Sequence, residues 1–298
     1  MRNIIYIVNP ISGTGPKKAL EFLIEQKTKA AKIPFQIFPS VESGDYSFLL
    51  PIIKEQKITD VVIAGGDGTI SQVVSSLMDH DLNFGIIPCG SGNGLAYTLK
   101  IPKQHSKAID IIFTGKASAI DGFYINDQFA CMLCGLGFDA KVAHDFARQP
   151  QRGLTTYIKQ VVKNFFAAKT FHFELKLNGK AFSTDAYFIS IANSNQFGNN
   201  FTIAPQASLS DGLLDIVIVK KMNRIKLVWA VIQQIRTGTP GHHEAKNFHR
   251  NEVLYFQADK LIIRNPSLAP MHIDGEPIRT AKKIEVQVLP GAFKLLMP

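Results

Sequence analysis

The 298-residue sequence has a formal charge of +9 at pH 7, is 46% hydrophobic and 19% charged, and contains three cysteines. This is the composition of a globular protein large enough for two domains. It argues against a membrane-spanning chain, because no apolar run approaches the roughly 18–20 residues a span requires.

Met1 to Val8 is too short for the apolar region of a secretory signal, so a cytoplasmic protein is expected. The positive charge calls for an anionic partner. No dense Lys/Arg run or nucleic-acid module is present, so a nucleotide and a transient anionic membrane surface are expected rather than nucleic acid.

The first predicted strand is the alternating, β-branched run Asn3 to Val8. It ends in a polar glycine loop, Asn9-Pro10-Ile11-Ser12-Gly13-Thr14-Gly15, before helical spacing over Lys17 to Thr28. The loop fits neither GxxxxGK[ST] nor the full dinucleotide fingerprint. A short strand follows at Phe35 to Phe38, then a helix opened by Gly44 and Asp45 and running to Glu55. A buried strand, Asp60 to Ala64, feeds Gly65-Gly66-Asp67-Gly68-Thr69 and a helix from Ile70. Strand, glycines and helix make either a phosphate cradle, with Asp67 associated with Mg²⁺, or a tight turn capped by Asp or Thr. A fourth strand, Asn83 to Ile87, ends in Pro88-Cys89-Gly90-Ser91-Gly92-Asn93-Gly94 and a helix from Leu95 to Leu99. Alternating strands and helices predict a doubly wound parallel α/β sheet over residues 1–120, with three glycine loops at strand carboxyl ends.

From residue 121 to 298 the pattern becomes strand-rich and predicts a β-sandwich-like domain interrupted by helices, whose last strand is free to return to the first domain. Strands are expected at Phe123 to Ile125, Phe129 to Cys134, Phe171 to Leu177, Ala181 to Phe182, Tyr187 to Ala192, Leu213 to Val219, Val253 to Ile263, Met271 to Ile273 and Ile284 to Val288. Asn178-Gly179 and Asp274-Gly275 read as two-residue hairpin turns. Leu154 to Lys169 and Arg224 to Arg236 are basic amphipathic helices, suited either to an anionic membrane or to packing on the sandwich. Cys131 and Cys134 form a CxxC without a second pair and read, with Cys89, as buried free thiols. His242, His243 and His249 match no metal spacing and read as solvated loop histidines.

Asn9-Pro10, GGDGT and Gly90-Ser91-Gly92-Asn93 together resemble the catalytic domain of the diacylglycerol kinase and sphingosine kinase family of lipid kinases. The resemblance continues through Gly135-Leu136-Gly137-Phe138-Asp139-Ala140, Ser208 to Leu213 and Asp274-Gly275-Glu276. NAD kinases share GGDGT but pair it with a TGSTAY-like segment absent here. The resemblance implies an ATP- and Mg²⁺-dependent kinase acting on a lipid hydroxyl. It implies ATP contacts from Asn9, Pro10, Ile11, Ser12, Gly13, Ser40, Gly66, Asp67, Gly68, Thr69, Ile70, Ser71, Gln72 and Ser91. It implies a structural Mg²⁺ on Ser208, Asp211 and the Leu213 carbonyl, with Asp67 and Glu276 catalytic and Glu276 the general base. Ser71, Gln72, Gly94 and Ser210 depart from the family pattern and remove acidic charge near the metals. The identity of the lipid and the oligomeric state, a homodimer included, stay open, as do a soluble NAD kinase-type enzyme and a non-catalytic nucleotide or lipid sensor.

Overall fold

The computed structural model describes residues 2–13, 17–147, 149, 164, 168–195, 204–221 and 253–298. Apart from Asn164, Ala168 and Lys169, the two expected basic helices lie outside these residues, as do His242, His243 and His249. No described helix is long and apolar enough to cross a membrane. The chain divides into two units, Met1–Asp121 with Gly291–Pro298, and Gly122–Pro290.

In chain order the elements of the first unit are β1 (Ile4–Val8), α1 (Lys17–Ala30), β2 (Phe35–Pro39), α2 (Leu50–Glu55), β3 (Asp60–Gly65), α3 (Asp67–Leu77), β4 (Asn83–Pro88), α4 (Gly94–Thr98), α5 (His105–Thr114) and the start of β5 (Lys116–Ile125). The second unit holds the rest of β5, then β6 (Gln128–Ala130), β7 (Leu133–Gly137), α6 (Phe138–Ala147), β8 (Phe171–Leu177), β9 (Lys180–Ala192), β10 (Leu214–Lys220), β11 (Val253–Ala258), β12 (Lys260–Arg264), β13 (Met271–Ile273), β14 (Glu276–Ile278) and most of β15 (Lys283–Met297).

The first unit is a parallel sheet in the order β2-β1-β3-β4-β15. Every residue of β1 and β3 is buried, as a parallel sheet covered on both faces requires. Leu20 and Ile24 of α1 and Ile109 and Ile112 of α5 pack with Ile4, Tyr6, Val8, Val62 and Ala64. In α3, Ile70, Val73, Val74 and Leu77 are buried at helical spacing. The end of β15 completes the sheet. Lys294 and Leu295 pair with Asn83 and Phe84, the Phe293 and Phe84 rings meet edge-on at 5.9 Å, and the Gly291 N–H donates to Asp121 at 2.7 Å.

The second unit is antiparallel and sandwich-like. Long β9 pairs with β8 along its first half and with β7 and β10 along its second. One layer is β14-β13-β7-β9-β10-β11, and the other carries β9-β8-β12-β15. Leu136, Ile189, Ile191, Ile216 and Ile218 of the first layer share one core with Phe173, Leu175, Leu261, Ile263, Ile284 and Val286 of the second.

Several boundaries differ from the sequence expectation. The run Val253 to Ile263 breaks at Asp259 because β11 pairs with β10 whereas β12 pairs with β8 and β15. The segment after Asp45 starts as a 3₁₀ turn at Ser47–Leu49, with Pro51 in the first turn of α2. Helices α5 and α6 were not expected from the sequence.

Candidate nucleotide and phosphoryl-transfer site

The sheet order places a topological switch in the first unit. From β1 the chain crosses to β2 on one side, and from β3 to β4 on the other, so the connections part at the carboxyl ends of β1 and β3. Ligands of open α/β sheets bind outside such a point. The Asn9–Gly13 loop follows β1, Ser40 follows β2, Gly66 follows β3 and the Cys89–Asn93 loop follows β4.

These loops interlock. Asn9 Nδ2 donates to Thr69 Oγ1 at 2.8 Å, which ties the first loop to the second. The Gly94 N–H donates to Asp67 Oδ2 at 2.9 Å and the Leu95 N–H to Asp67 Oδ1 at 3.3 Å, which ties the second loop to the third. A Cβ at Gly90 would stand 2.6 Å from Gly66 Cα, so these two loops cross backbone to backbone and only glycine fits. A Cβ at Gly13 would fall inside van der Waals contact of the Cys89 carbonyl, so the first loop also meets the third. Asn93 holds the third loop in shape, its Oδ1 accepting from Gly90 N–H and its Nδ2 donating to Gly90 O, both at 2.7 Å.

Each sequence-predicted residue of this site has a definite place. Ile11 is 89% exposed, an apolar side chain presented outward from the first loop. Ser12 Oγ donates to Asn9 O at 3.1 Å, and the Ser40 N–H donates to Val8 O at 2.9 Å, extending the ladder to the sheet's rim. Helix α3 begins at Asp67 rather than at Ile70, so Asp67, Gly68 and Thr69 form its first turn after Gly66. Ile70 and Ser71 are buried in the unit, and the Ile70 N–H already donates to the Gly66 carbonyl at 3.1 Å. The Gln72 side chain packs against Gly44, and Ser91 is half-buried in the third loop. Lys17 was missed. Its ammonium donates to Ser12 Oγ at 3.0 Å and to the Ser12 carbonyl, bringing a cation to the first loop. Two consecutive lysines opening a helix, against the helix dipole, were the available signal. Burial pushes the Cys89 thiol up, and Cys89, Cys131 and Cys134 are all buried and none is in a disulfide.

In the second unit, Asp211 Oδ1 accepts the Leu213 N–H at 3.1 Å, and Ser208 Oγ accepts the Ser210 N–H at 3.4 Å. Asp215 follows at the start of β10. Its Oδ1 accepts from Tyr255 and from Gln257, while its buried Oδ2 has no hydrogen-bond partner among the described residues. Burial holds its carboxyl above the ordinary carboxylate range, and Asp211 acts in the same direction. A buried carboxylate oxygen without a donor, beside a second carboxylate, suits a hard cation. Asp211 and Asp215 thus offer oxygen donors that suit Mg²⁺ beside the Ser208–Leu213 loop, although no cluster of three or more His, Cys, Asp or Glu side chains gathers among the described residues. A hundredfold excess of Mg²⁺ over its Kd should stabilise the folded chain by about 2–3 kcal/mol, read as a rise in melting temperature. Asp211→Ala should abolish that rise.

Glu276 opens β14 directly after the Asp274-Gly275 turn, in which both residues have positive φ (49° and 83°), the geometry of a type I′ hairpin. Asp274 is an anchor. Its carboxylate accepts the N–H groups of Leu133 (2.9 Å), Met132 (3.2 Å) and Cys131 (3.4 Å), so an exposed Glu276 is carried on a fastened turn.

Comparison with known proteins identifies both halves of the chain. Residues 3–125 match the diacylglycerol kinase catalytic domain, and residues 133–297 match the YegS C-terminal NAD kinase beta sandwich-like domain. The chain is 25% identical to a diacylglycerol kinase of Bacillus subtilis, over 93% of this chain and 90% of the relative. It is 27% identical to a probable lipid kinase YegS-like protein of Shewanella frigidimarina, over 87% and 83%. In fold it is similar to a crystal structure of a diacylglycerol kinase from Bacillus anthracis, with a TM-score of 0.76 at 20% identity, covering 100% of this chain and 97% of that one. With both units matched in turn, the chain belongs to the diacylglycerol kinase and YegS-like family of lipid kinases.

Proposed function

We propose that this chain transfers the γ-phosphoryl group of ATP to a hydroxyl of a membrane lipid of diacylglycerol or sphingoid type, at an anionic membrane surface. The observation that carries the reading is the interlock of three glycine loops at the topological switch of the first unit. Phosphoryl transfer asks a protein mainly for positioning and charge neutralisation. Backbone N–H groups of the Asn9–Gly13 loop and the first turn of α3, with Lys17 beside them, supply donors for phosphate oxygens. Ile11 offers an apolar surface to the nucleotide. Mg²⁺ carried with ATP would neutralise phosphate charge, and Ser208, Asp211 and the Leu213 carbonyl would hold a separate structural ion. Glu276 accepts the proton of the acceptor hydroxyl as its oxygen bonds to phosphorus and the bond to ADP breaks.

The test is incubation of the purified chain with γ-labelled ATP, Mg²⁺ and mixed micelles of diacylglycerol, a sphingoid base or extracted membrane lipid, with NAD as a separate acceptor. Label in a lipid phosphate supports the reading. Label in NADP, or ATP binding with no transfer to any acceptor, overturns it.

A further inference from the structure

The GxGFDA segment and the strand leading to Glu276 meet in the second unit through a buried polar pair that the reaction just described does not use. His272, on β13, is fully buried, and Asp139, at the start of α6, is nearly so. His272 Nε2 lies 3.4 Å from Asp139 Oδ2. Its other ring nitrogen, Nδ1, is 3.2 Å from the Gly275 N–H. A backbone N–H can only donate, so Nδ1 accepts and the ring proton sits on Nε2, directed at the carboxylate. Asp139 is itself held, its Oδ1 accepting the Ala140 N–H at 2.7 Å.

The backbone makes room for this pair. Gly135 lies directly opposite His272 in the β7–β13 ladder. A Cβ there would penetrate both Asp139 Oδ2 and His272 Nε2. The first glycine of the motif thus leaves the space in which the motif's aspartate reaches the histidine. A second tie lies one turn along, where His144 Nε2 is 2.8 Å from the Met271 carbonyl. The hydrogen-bonded path from Asp139 through His272 ends on Gly275, the residue before Glu276.

We infer that Asp139 and His272 are positioning residues for Glu276: the carboxylate fixes the tautomer and plane of the imidazole, and the imidazole holds the Gly275 N–H, so the glutamate starts β14 in one direction. This rests on the reading of Glu276 as the base. The logic is that of an orienting carboxylate behind a histidine, with a backbone amide in the place of a substrate. Asp274 pins the turn to residues 131–133, and His272 holds it at Gly275.

The experiment compares His272→Leu, which removes the hydrogen bonds to Asp139 and Gly275, with His272→Asn, whose Oδ1 replaces Nδ1 as an acceptor for Gly275. Amide exchange of the 272–278 segment is followed by mass spectrometry in the full chain. Transfer of label from ATP to diacylglycerol or sphingoid micelles is followed alongside. His272→Leu should speed exchange at Gly275 by about tenfold or more and lower kcat by about 10- to 100-fold, with the KM for ATP unchanged. His272→Asn should return most of both. Asp139→Asn, which turns an amide N–H toward the Nε2–H, should behave like His272→Leu, and it serves if the leucine variant does not fold. Adding His272→Leu to Glu276→Ala should cost no further turnover. Unchanged exchange at Gly275, or a His272→Leu loss that is undiminished when Glu276 is already alanine, would overturn the inference. If Glu276→Ala alone leaves turnover intact, the base reading fails, while amide exchange still reports on the hold that His272 has on the turn.

Discussion

Glu276→Ala should lower lipid phosphorylation by about 10²–10⁴-fold, the usual contribution of a positioned general base. The affinity for ATP should stay as it was, because the base acts on the acceptor and the nucleotide loops belong to the other unit of the chain. Glu276→Gln, with nearly the same shape but no basic oxygen, should fall as far as alanine. Stability should hardly move in either, since the side chain is exposed and the turn is fastened by Asp274. The measurement is kcat and KM for both substrates, with ATP binding followed separately. Turnover that survives in the alanine enzyme would remove Glu276 from the mechanism.

Asp67→Ala should be the most damaging change in the nucleotide unit, for two reasons that a second variant separates. Its carboxylate accepts the N–H groups of Gly94 and Leu95, and a buried donor left unsatisfied costs about 1–3 kcal/mol. It also supplies negative charge where the metal of a nucleotide complex is expected. Alanine should therefore lower the melting temperature and reduce turnover by about 10³-fold or more. Asp67→Asn keeps one oxygen to accept an N–H, so it should recover part of the stability and little of the activity. A full recovery of activity in the asparagine variant would assign Asp67 to bracing the loops alone.

Legibility in the sequence followed the range of the interactions. The glycine loops are local, and their strand-loop-helix setting was readable from periodicity. So were the Asn178-Gly179 and Asp274-Gly275 turns, whose positive φ values require such residues. Asp67 read as a metal-associated carboxylate, yet its hydrogen bonds run to a loop 27 positions away, a contact no spacing announces. The Asp139–His272 pair is separated by 133 positions, Asp139 being visible only as part of the GLGFDA element and His272 only as a residue of the expected strand Met271 to Ile273. Helix α5 escaped notice because it opens with polar residues and buries only Ala108, Ile109 and Ile112. The last strand was expected over Ile284 to Val288 with its return to the first domain left open, and β15 runs on through Gly291 at φ 60° and makes that return.

That return has a consequence for how the protein comes into being. The parallel sheet of the kinase unit draws one of its members from the far end of the polypeptide, so translation delivers the unit in two instalments with the whole sandwich made in between. While residues 122–290 are being synthesised, β4 has no neighbour on its outer side, and an open strand edge invites pairing with other chains. Ending the gene just after Asp121 would leave that edge permanently bare. A single-chain rearrangement, with residues 291–298 grafted ahead of residue 2 through a flexible linker, would let the first unit finish folding first.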